Sequence, residues 1–315
     1  MRAGSATPGT PAVRRSTPIT PPTKKPRPVT VVSSRSSSPH HRPDPASGSL
    51  SGVLLTIDVG NTQTVLGLYD PDTETGDGAA VGLVDHWRIS TVHERTSDEY
   101  SVMVRSMLDT IDVDFDTEIT GTAICSGVPR ILANLRQMVN RYLPNEPIVI
   151  EPGVKTGMPI LYDNPKEVGA DRIANAIAAY DLYGGPTVVV DFGTGNNFDV
   201  ISENGEFLGG AIAPGIEISL DALFGRAAQL RAIELVEPRS VVGKSTVESI
   251  QSGTVYGFAA MIDGMVGRFG DALGEINVVA TGGLAHLIAP VSETIEHVEP
   301  FLTLHGLRIV HDRNN

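Results

Sequence analysis

The 315-residue chain is 41% hydrophobic and 19% charged with a net charge of −13, a composition that suits one large globular domain or two modest ones. The charge is divided: residues 1–52 hold eight Lys and Arg against one acid, Asp44, which leaves −20 on residues 53–315. So acidic a body repels a nucleic-acid backbone, and there is no apolar run of about 20 residues to span a bilayer.

In chain order, residues 1–52 read as a disordered basic Pro/Ser-rich tail, too poor in apolar residues to bury a core. The tail lacks the apolar stretch of a secretory signal. Ten of the chain's 22 prolines lie in it, against the amphipathic helix of an organelle-targeting peptide. An alternative reading places the start of translation at Val53. Cys125 is the only cysteine, so a reducing cytoplasm is the expected location.

From Val53 onward strand and helix signals alternate. Leu54–Ile57 and Thr64–Tyr69 are apolar runs around a Gly-Asn turn, a hairpin signature. A third strand is expected over Val81–Ser90. Thr96-Ser97-Asp98-Glu99 is a capping box that opens a helix to about Ile111. A strand over Ile119–Ser126, a helix over Arg130–Leu143 and a strand over Pro147–Ile150 follow. Gly169–Tyr183 reads as a helix stopped by Gly184-Gly185-Pro186.

The opening pattern then returns. Thr187–Asp191, Phe192, Gly193 and Thr194 repeat the order apolar run, Asp, apolar residue, Gly, polar residue. Aligning Asp191 on Asp58 also aligns Gly193 on Gly60. Asn204-Gly205 turns into a strand over Glu206–Ile212. Helices are expected over Gly215–Leu230 and Ser245–Leu273, a strand over Asn277–Thr281, and a last helix over Thr303–Arg313. Two halves that each open on a hairpin with an Asp-x-Gly turn predict duplicated α/β domains, 53–168 and 169–315, facing a cleft.

A strand that ends in Asp58-Val59-Gly60-Asn61-Thr62-Gln63-Thr64 can seat an anion. Its glycine permits φ > 0, so that successive amides point into one concavity. Asn61, Thr62 and Thr64 add donors, and Asp58 could hold a metal that bridges phosphates. One copy alone would read as a hairpin turn; the second copy at Asp191 favours a two-sided nucleotide clamp. Gly169-Ala170-Asp171-Arg172 opens a helix, where Asp171 is either a helix cap or a proton acceptor beside a cation that could hold a carboxylate. Val242-Gly243-Lys244-Ser245 imitates the end of a P-loop, but Pro238 stands where that loop needs its first glycine. Gly193-x-Gly195 starts a dinucleotide fingerprint that Phe198 breaks. Thr281-Gly282-Gly283 could let a nucleoside lie on the backbone or simply make a tight turn.

Together these segments resemble the type III pantothenate kinases, of the acetate kinase, hexokinase and actin-like group. The features that carry the resemblance are Asp58-x-Gly-Asn-Thr, Leu161-Tyr162-Asp163-Asn164-Pro165, Gly169-Ala170-Asp171-Arg172, Asp191-Phe192-Gly193-Thr194, Gly209-Gly210-Ala211-Ile212-Ala213-Pro214-Gly215, Gly243-Lys244-Ser245-Thr246 and Thr281-Gly282-Gly283. The resemblance implies two ribonuclease H-like domains and ATP-dependent phosphorylation of pantothenate, the first step toward coenzyme A. It implies a cytoplasmic homodimer that uses Mg²⁺ and a monovalent cation, K⁺ or NH₄⁺. By the same resemblance Asp171 is the general base. Tyr162, Gly169, Ala170, Arg172 and Thr246 hold pantothenate, Thr246 across a dimer interface. Asp58, Val59, Gly60, Asn61, Thr62, Gln63, Thr64, Val65 and Thr194 bind ATP, and Asp191 binds the monovalent cation. The family usually continues Ala-Thr-Thr after Asp191-Phe192-Gly193-Thr194, where this chain has Gly195-Asn196-Asn197. That departure is expected to loosen the loop. It leaves two alternatives, a catalytically weak ligand-binding regulator and a kinase of the same fold for another small hydroxy acid.

Overall fold

The computed structural model describes residues 30–31, 52–73, 75–227 and 232–315. The rest of the expected tail and the expected end of the helix at 228–231 lie outside them. The strands are β1 (Thr30–Val31), β2 (Val53–Val59), β3 (Gln63–Tyr69), β4 (Leu83–Ser90), β5 (Ile119–Ser126), β6 (Ile148–Val149), β7 (Thr187–Phe192), β8 (Gly195–Ile201), β9 (Phe207–Pro214), β10 (Asn277–Gly282) and β11 (His297–Val298). The helices are α1 (Ser97–Asp109), α2 (Pro129–Tyr142), α3 (Ala170–Tyr183), α4 (Ile216–Arg226), α5 (Thr246–Leu273), α6 (Ala285–Ile288) and α7 (Leu302–Asn314). The first sheet runs β4-β3-β2-β5-β6 and the second β9-β8-β7-β10-β11, with β1 added outside β11. In each, a three-stranded antiparallel meander continues into two parallel strands. The duplication read from two short motifs therefore extends to strand order and direction, the ribonuclease H-like topology twice over.

Side-chain alternation along the strands builds five layers. In β2, Val53, Leu55, Ile57 and Val59 face α1 and α2, while Leu54, Thr56 and Asp58 point the other way. In β7, Val188, Val190 and Phe192 face α5 and α6, while Val189 and Asp191 point away from them. Between the two sheets lie α3 and α7; α3 packs on both sheets, and α7 on α3 and the first sheet. The middle layer is tight. A Cβ on Gly306 of α7 would stand 2.1 Å from the Ala174 carbonyl of α3. One on Gly67 of β3 would meet Leu304 at 2.7 Å, and one on Gly121 of β5 would meet His311 at 2.5 Å. The C-terminal helix thus covers the sheet built by the N-terminal half.

Local signals explain the ends of the elements. At α1 the Thr96 hydroxyl accepts the Glu99 N–H (3.3 Å) and Glu99 Oε2 accepts the Thr96 N–H (2.7 Å), the expected capping box. Helix α3 stops at Gly184, whose φ of +70° favours glycine. Strands β1 and β11 have two residues each, too short to leave a hydrophobic period in the sequence.

Candidate active site

Because alternate residues of β2 and β7 face the middle layer, Asp58 and Asp191 both point toward the start of α3, which carries Asp171. The registers match between halves. Asp58 lies opposite Val65 and Cys125, and Asp191 opposite Asn197 and Thr281. The turns after the two strands meet across the cleft, with the Thr62 and Thr194 hydroxyls 3.3 Å apart.

The carboxylates feel one another. Burial, aided by the negative Asp171, pushes Asp58 up to about 7; the Cys125 thiol, which donates to Asp58 Oδ1 at 3.2 Å, and Arg88 oppose this. Burial likewise raises Asp191 to about 7, with Asp171, Asp58 and Asp199 adding to it and a hydrogen bond from Asn175 opposing it. Asn175 is fully buried on α3; its Nδ2 donates to Asp191 Oδ2 (3.3 Å) and its Oδ1 accepts the Thr303 hydroxyl of α7 (2.7 Å).

The phosphate-loop glycines are needed for space rather than for φ. Neither Gly60 nor Gly193 adopts positive φ, which corrects the expectation from the sequence. A Cβ on Gly60 would meet the Gln63 carbonyl at 3.0 Å, the same oxygen that accepts the Gly60 N–H. The glycine with both constraints is Gly282, at φ +89°, where a Cβ would stand 2.6 Å from Asp191 Oδ1. Within the first loop Asn61, Thr62 and Gln63 are exposed, Val59 is buried and Val65 half-buried. Thr64 is also buried and bonded to the Thr91 hydroxyl (2.9 Å), which donates to the Gly60 carbonyl (2.8 Å). Gln63 Oε1 accepts from Arg88 (2.7 Å).

Asp171 is not the helix cap. Gly169 occupies that position without a side-chain bond, and Asp171 Oδ1 accepts the N–H of Arg172 (2.9 Å). A Cβ at Gly169 would lie 2.4 Å from that oxygen, so Gly169 clears room for the carboxylate. Ala170 is the first helical residue. Arg172 is buried, its Nε and Nη2 both donating to Asp199 Oδ1 (2.7 and 2.6 Å). Its guanidinium lies 5.5 Å from the Phe207 ring centre, and Tyr162 lies 6.3 Å from the same ring. Thr246 is exposed on the first turn of α5. With Ser219, Leu223 and Phe258 it lines a cavity of about 380 Å³ between α4 and α5.

Gly195, expected to loosen its loop, lies within a strand. It opens β8, is paired with Pro214, and its carbonyl accepts the Gly193 N–H (3.1 Å). Asn196 is fully buried, and neither atom of its amide has a hydrogen-bond partner among the described residues.

Asp199, Asn175 and Arg88 were not singled out in the sequence, and Cys125 only as the single cysteine. A signal existed for two of them: Asp199 is a charge inside an apolar strand, and Asn175 a polar residue inside an apolar helix face. Cys125 and Arg88 become visible only through strand register. Among the described residues no three carboxylate, His or Cys groups are arranged to hold a metal by themselves. Two raised carboxylates beside a third instead fit Mg²⁺, which keeps waters and is held by one or two carboxylates plus substrate phosphates.

Two ribonuclease H-like halves facing a carboxylate-lined cleft define the acetate kinase, hexokinase and actin-like fold. The sequence model of the type III pantothenate kinases matches residues 54–268. A type III pantothenate kinase from Streptomyces griseus is 53% identical over 270 residues, covering 83% of this chain and 98% of the relative. One from Acidothermus cellulolyticus is 52% identical over 264 residues, covering 83% and 99%. The chain belongs to the type III pantothenate kinase family, as the sequence motifs implied. A solved structure from Campylobacter jejuni, described as a Baf family transcriptional activator, superimposes with a TM-score of 0.51 at 18% identity, over 82% of this chain and 98% of that one. At that identity it shows the shared fold alone. Among the described residues no helix is long and apolar enough to cross a membrane.

Proposed function

We propose that the chain transfers the γ-phosphoryl group of ATP to the primary hydroxyl of pantothenate, in the cytoplasm and as the first step toward coenzyme A. The observation that carries this reading is Asp171 at the N-terminus of α3, between Asp58 and Asp191. A helix N-terminus favours anions, and the acids around it suit a metal-bound polyphosphate. In this reading Asp171 accepts the proton of the attacking hydroxyl. Arg172 and Tyr162 orient the substrate, with Gly169 and Ala170 forming the backbone beneath it. Asp58 through Val65 and Thr194 hold ATP from the two facing turns; Asn61 and Thr62 are its open donors, and Thr64 acts indirectly by fixing the Gly60 carbonyl through Thr91. Mg²⁺ supplies neutralisation of charge on the transferring phosphoryl group, with Asp58 as its protein ligand. A monovalent cation, K⁺ or NH₄⁺, is held at Asp191. Residues 53–168 and 169–315 act as two lobes that close on the substrates, while α7 from the second lobe packs on the first. Thr246, exposed on α5, completes the pantothenate pocket from the partner of a homodimer.

The test is pantothenate-dependent ATP turnover with Mg²⁺, with and without K⁺, beside Asp171→Asn. Loss of a positioned base lowers kcat by about 10²–10⁴; equal rates in the two proteins would remove Asp171 from the mechanism. A second reading, a ligand-binding regulator with little turnover, draws on the unpartnered Asn196. Calorimetry that finds both ligands bound, with no turnover under any cation, would select it.

A further inference from the structure

Asp171 and Asn175 stand four residues apart on α3 and so share one face of the helix. Asn175 is fully buried in the middle layer, where a polar group is costly unless it is hydrogen-bonded. Both ends of its amide are used. Nδ2 donates to Asp191 Oδ2 (3.3 Å), and Oδ1 accepts the Thr303 hydroxyl of α7 (2.7 Å). Three elements, β7, α3 and α7, thus meet in one short chain of polar groups that ends on a carboxylate of the site.

The two ends of an amide are alike in size and opposite in hydrogen bonding, so packing alone does not choose which end meets Asp191. Thr303 makes the choice: its hydroxyl occupies the carbonyl end and leaves the NH₂ group for the carboxylate. Packing in turn places Thr303. Gly306 lies three residues further on the same face of α7, and a Cβ there would stand 2.1 Å from the carbonyl of Ala174, the residue before Asn175. The missing side chain lets the two helices approach until the hydroxyl reaches the amide. The other carboxylate oxygen is treated differently. No hydrogen bond from the described residues reaches Asp191 Oδ1. It faces Gly282 and Gly193, where added Cβ atoms would lie 2.6 and 3.8 Å away. One oxygen is pinned, and the other lies over bare backbone.

We infer that Asn175, oriented by Thr303, is a positioning residue for the monovalent cation: it pins Asp191 Oδ2 so that Oδ1 is turned toward the ion. The inference rests on the proposed assignment of that cation to Asp191. Outer hydrogen-bond partners of this kind hold a ligating carboxylate in its working orientation, and losing one costs about 10–100-fold in metal affinity or activity. Neither Asn175 nor Thr303 is itself a ligand. Through them the last helix of the chain acts on the cation site without supplying an atom to it.

Potassium titrations of the full chain test this, by melting temperature without substrates and by turnover. Choline chloride replaces KCl at constant ionic strength, so that screening stays the same and the rise in melting temperature reports bound cation. Thr303→Val keeps the side-chain shape and removes the hydroxyl; Asn175→Leu removes the amide. In both variants the K⁺ concentration for half the effect is expected to rise about ten-fold or more in both measurements, while the KM for pantothenate stays near that of the unmodified chain. Thr303→Ser restores the original K⁺ requirement, and Asp191→Asn abolishes the response. A lower melting temperature in choline with an unchanged K⁺ requirement would overturn the inference, by making Asn175 and Thr303 packing residues only, and would leave the cation at Asp191. An unmodified chain indifferent to K⁺ in both measurements, or a full response in Asp191→Asn, would remove the cation from Asp191 and the inference with it.

Discussion

Asn196 occupies in the second half the place of Thr64 in the first: Thr64 pairs with Val59, and Asn196 with Phe192. Thr64 has a hydroxyl partner in Thr91, whereas a buried amide left without one costs about 1–3 kcal/mol. Asn196→Thr is therefore expected to stabilise the protein by about 1 kcal/mol, read as a rise in the urea midpoint at unchanged m-value. Asp58 and Asp191 give a second prediction. Both carboxyls are raised from 3.8 to about 7 in the folded protein, so their neutral forms favour the native state. That contribution is fully present below pH 3.8 and is lost as pH rises through 7. Melting temperature without ligands is expected to fall over this window, and to fall less in Asp58→Asn. At this scale the sequence was informative wherever a side chain's role follows from its own segment. Asp58 and Asp191 end strands before a glycine turn, and Asp171 opens a helix. It was silent on Cys125 and Arg88, whose partners lie 67 and 25 residues away and meet them only through strand register. Gly60 shows the converse: its need for glycine was legible, but the reason is a carbonyl 3.0 Å away and not a left-handed backbone.

At the scale of elements, α3 is both a packing layer and the carrier of the site. Its apolar residues sit between two sheets, and its first turn presents Asp171. Gly169→Ala tests how finely that turn is set, since a Cβ would stand 2.4 Å from Asp171 Oδ1. Turnover is expected to fall about 10²-fold, the scale of a misplaced reacting group, while the melting temperature changes little. An equal loss of stability would instead mean that Gly169 serves the fold. Strong periodicity and caps made α1, α2, α3, α5 and the hairpin strands legible. Helix α4 ends at Arg226 with Ala227 as its C-cap, and the end expected at Leu230 lies outside the described residues. Strand β11 left no pattern of its own and β1 falls inside the tail expected to be disordered, whereas β6, equally short, lies in the apolar run Pro147–Ile150.

At the scale of the molecule, one face remains apolar. Ile218 and Leu223 on α4, Val247 on α5, and Val241 and Val242 just before it are 42–73% exposed. A second copy of the chain is the occupant that the proposed role of Thr246 requires. Leu223→Glu is expected to shift the protein toward monomer in sedimentation and to raise the KM for pantothenate more than that for ATP. A monomer with unchanged KM would separate Thr246 from the substrate pocket.

The C-terminal helix carries a consequence for biosynthesis. Helix α7 covers the inner face of a sheet whose strands leave the ribosome well before it does. The first half therefore waits through the synthesis of the second with an apolar face uncovered, until α7 has been made. A nonsense codon or proteolytic nick near residue 300 would thus unfold the beginning of the protein, far from the break in sequence.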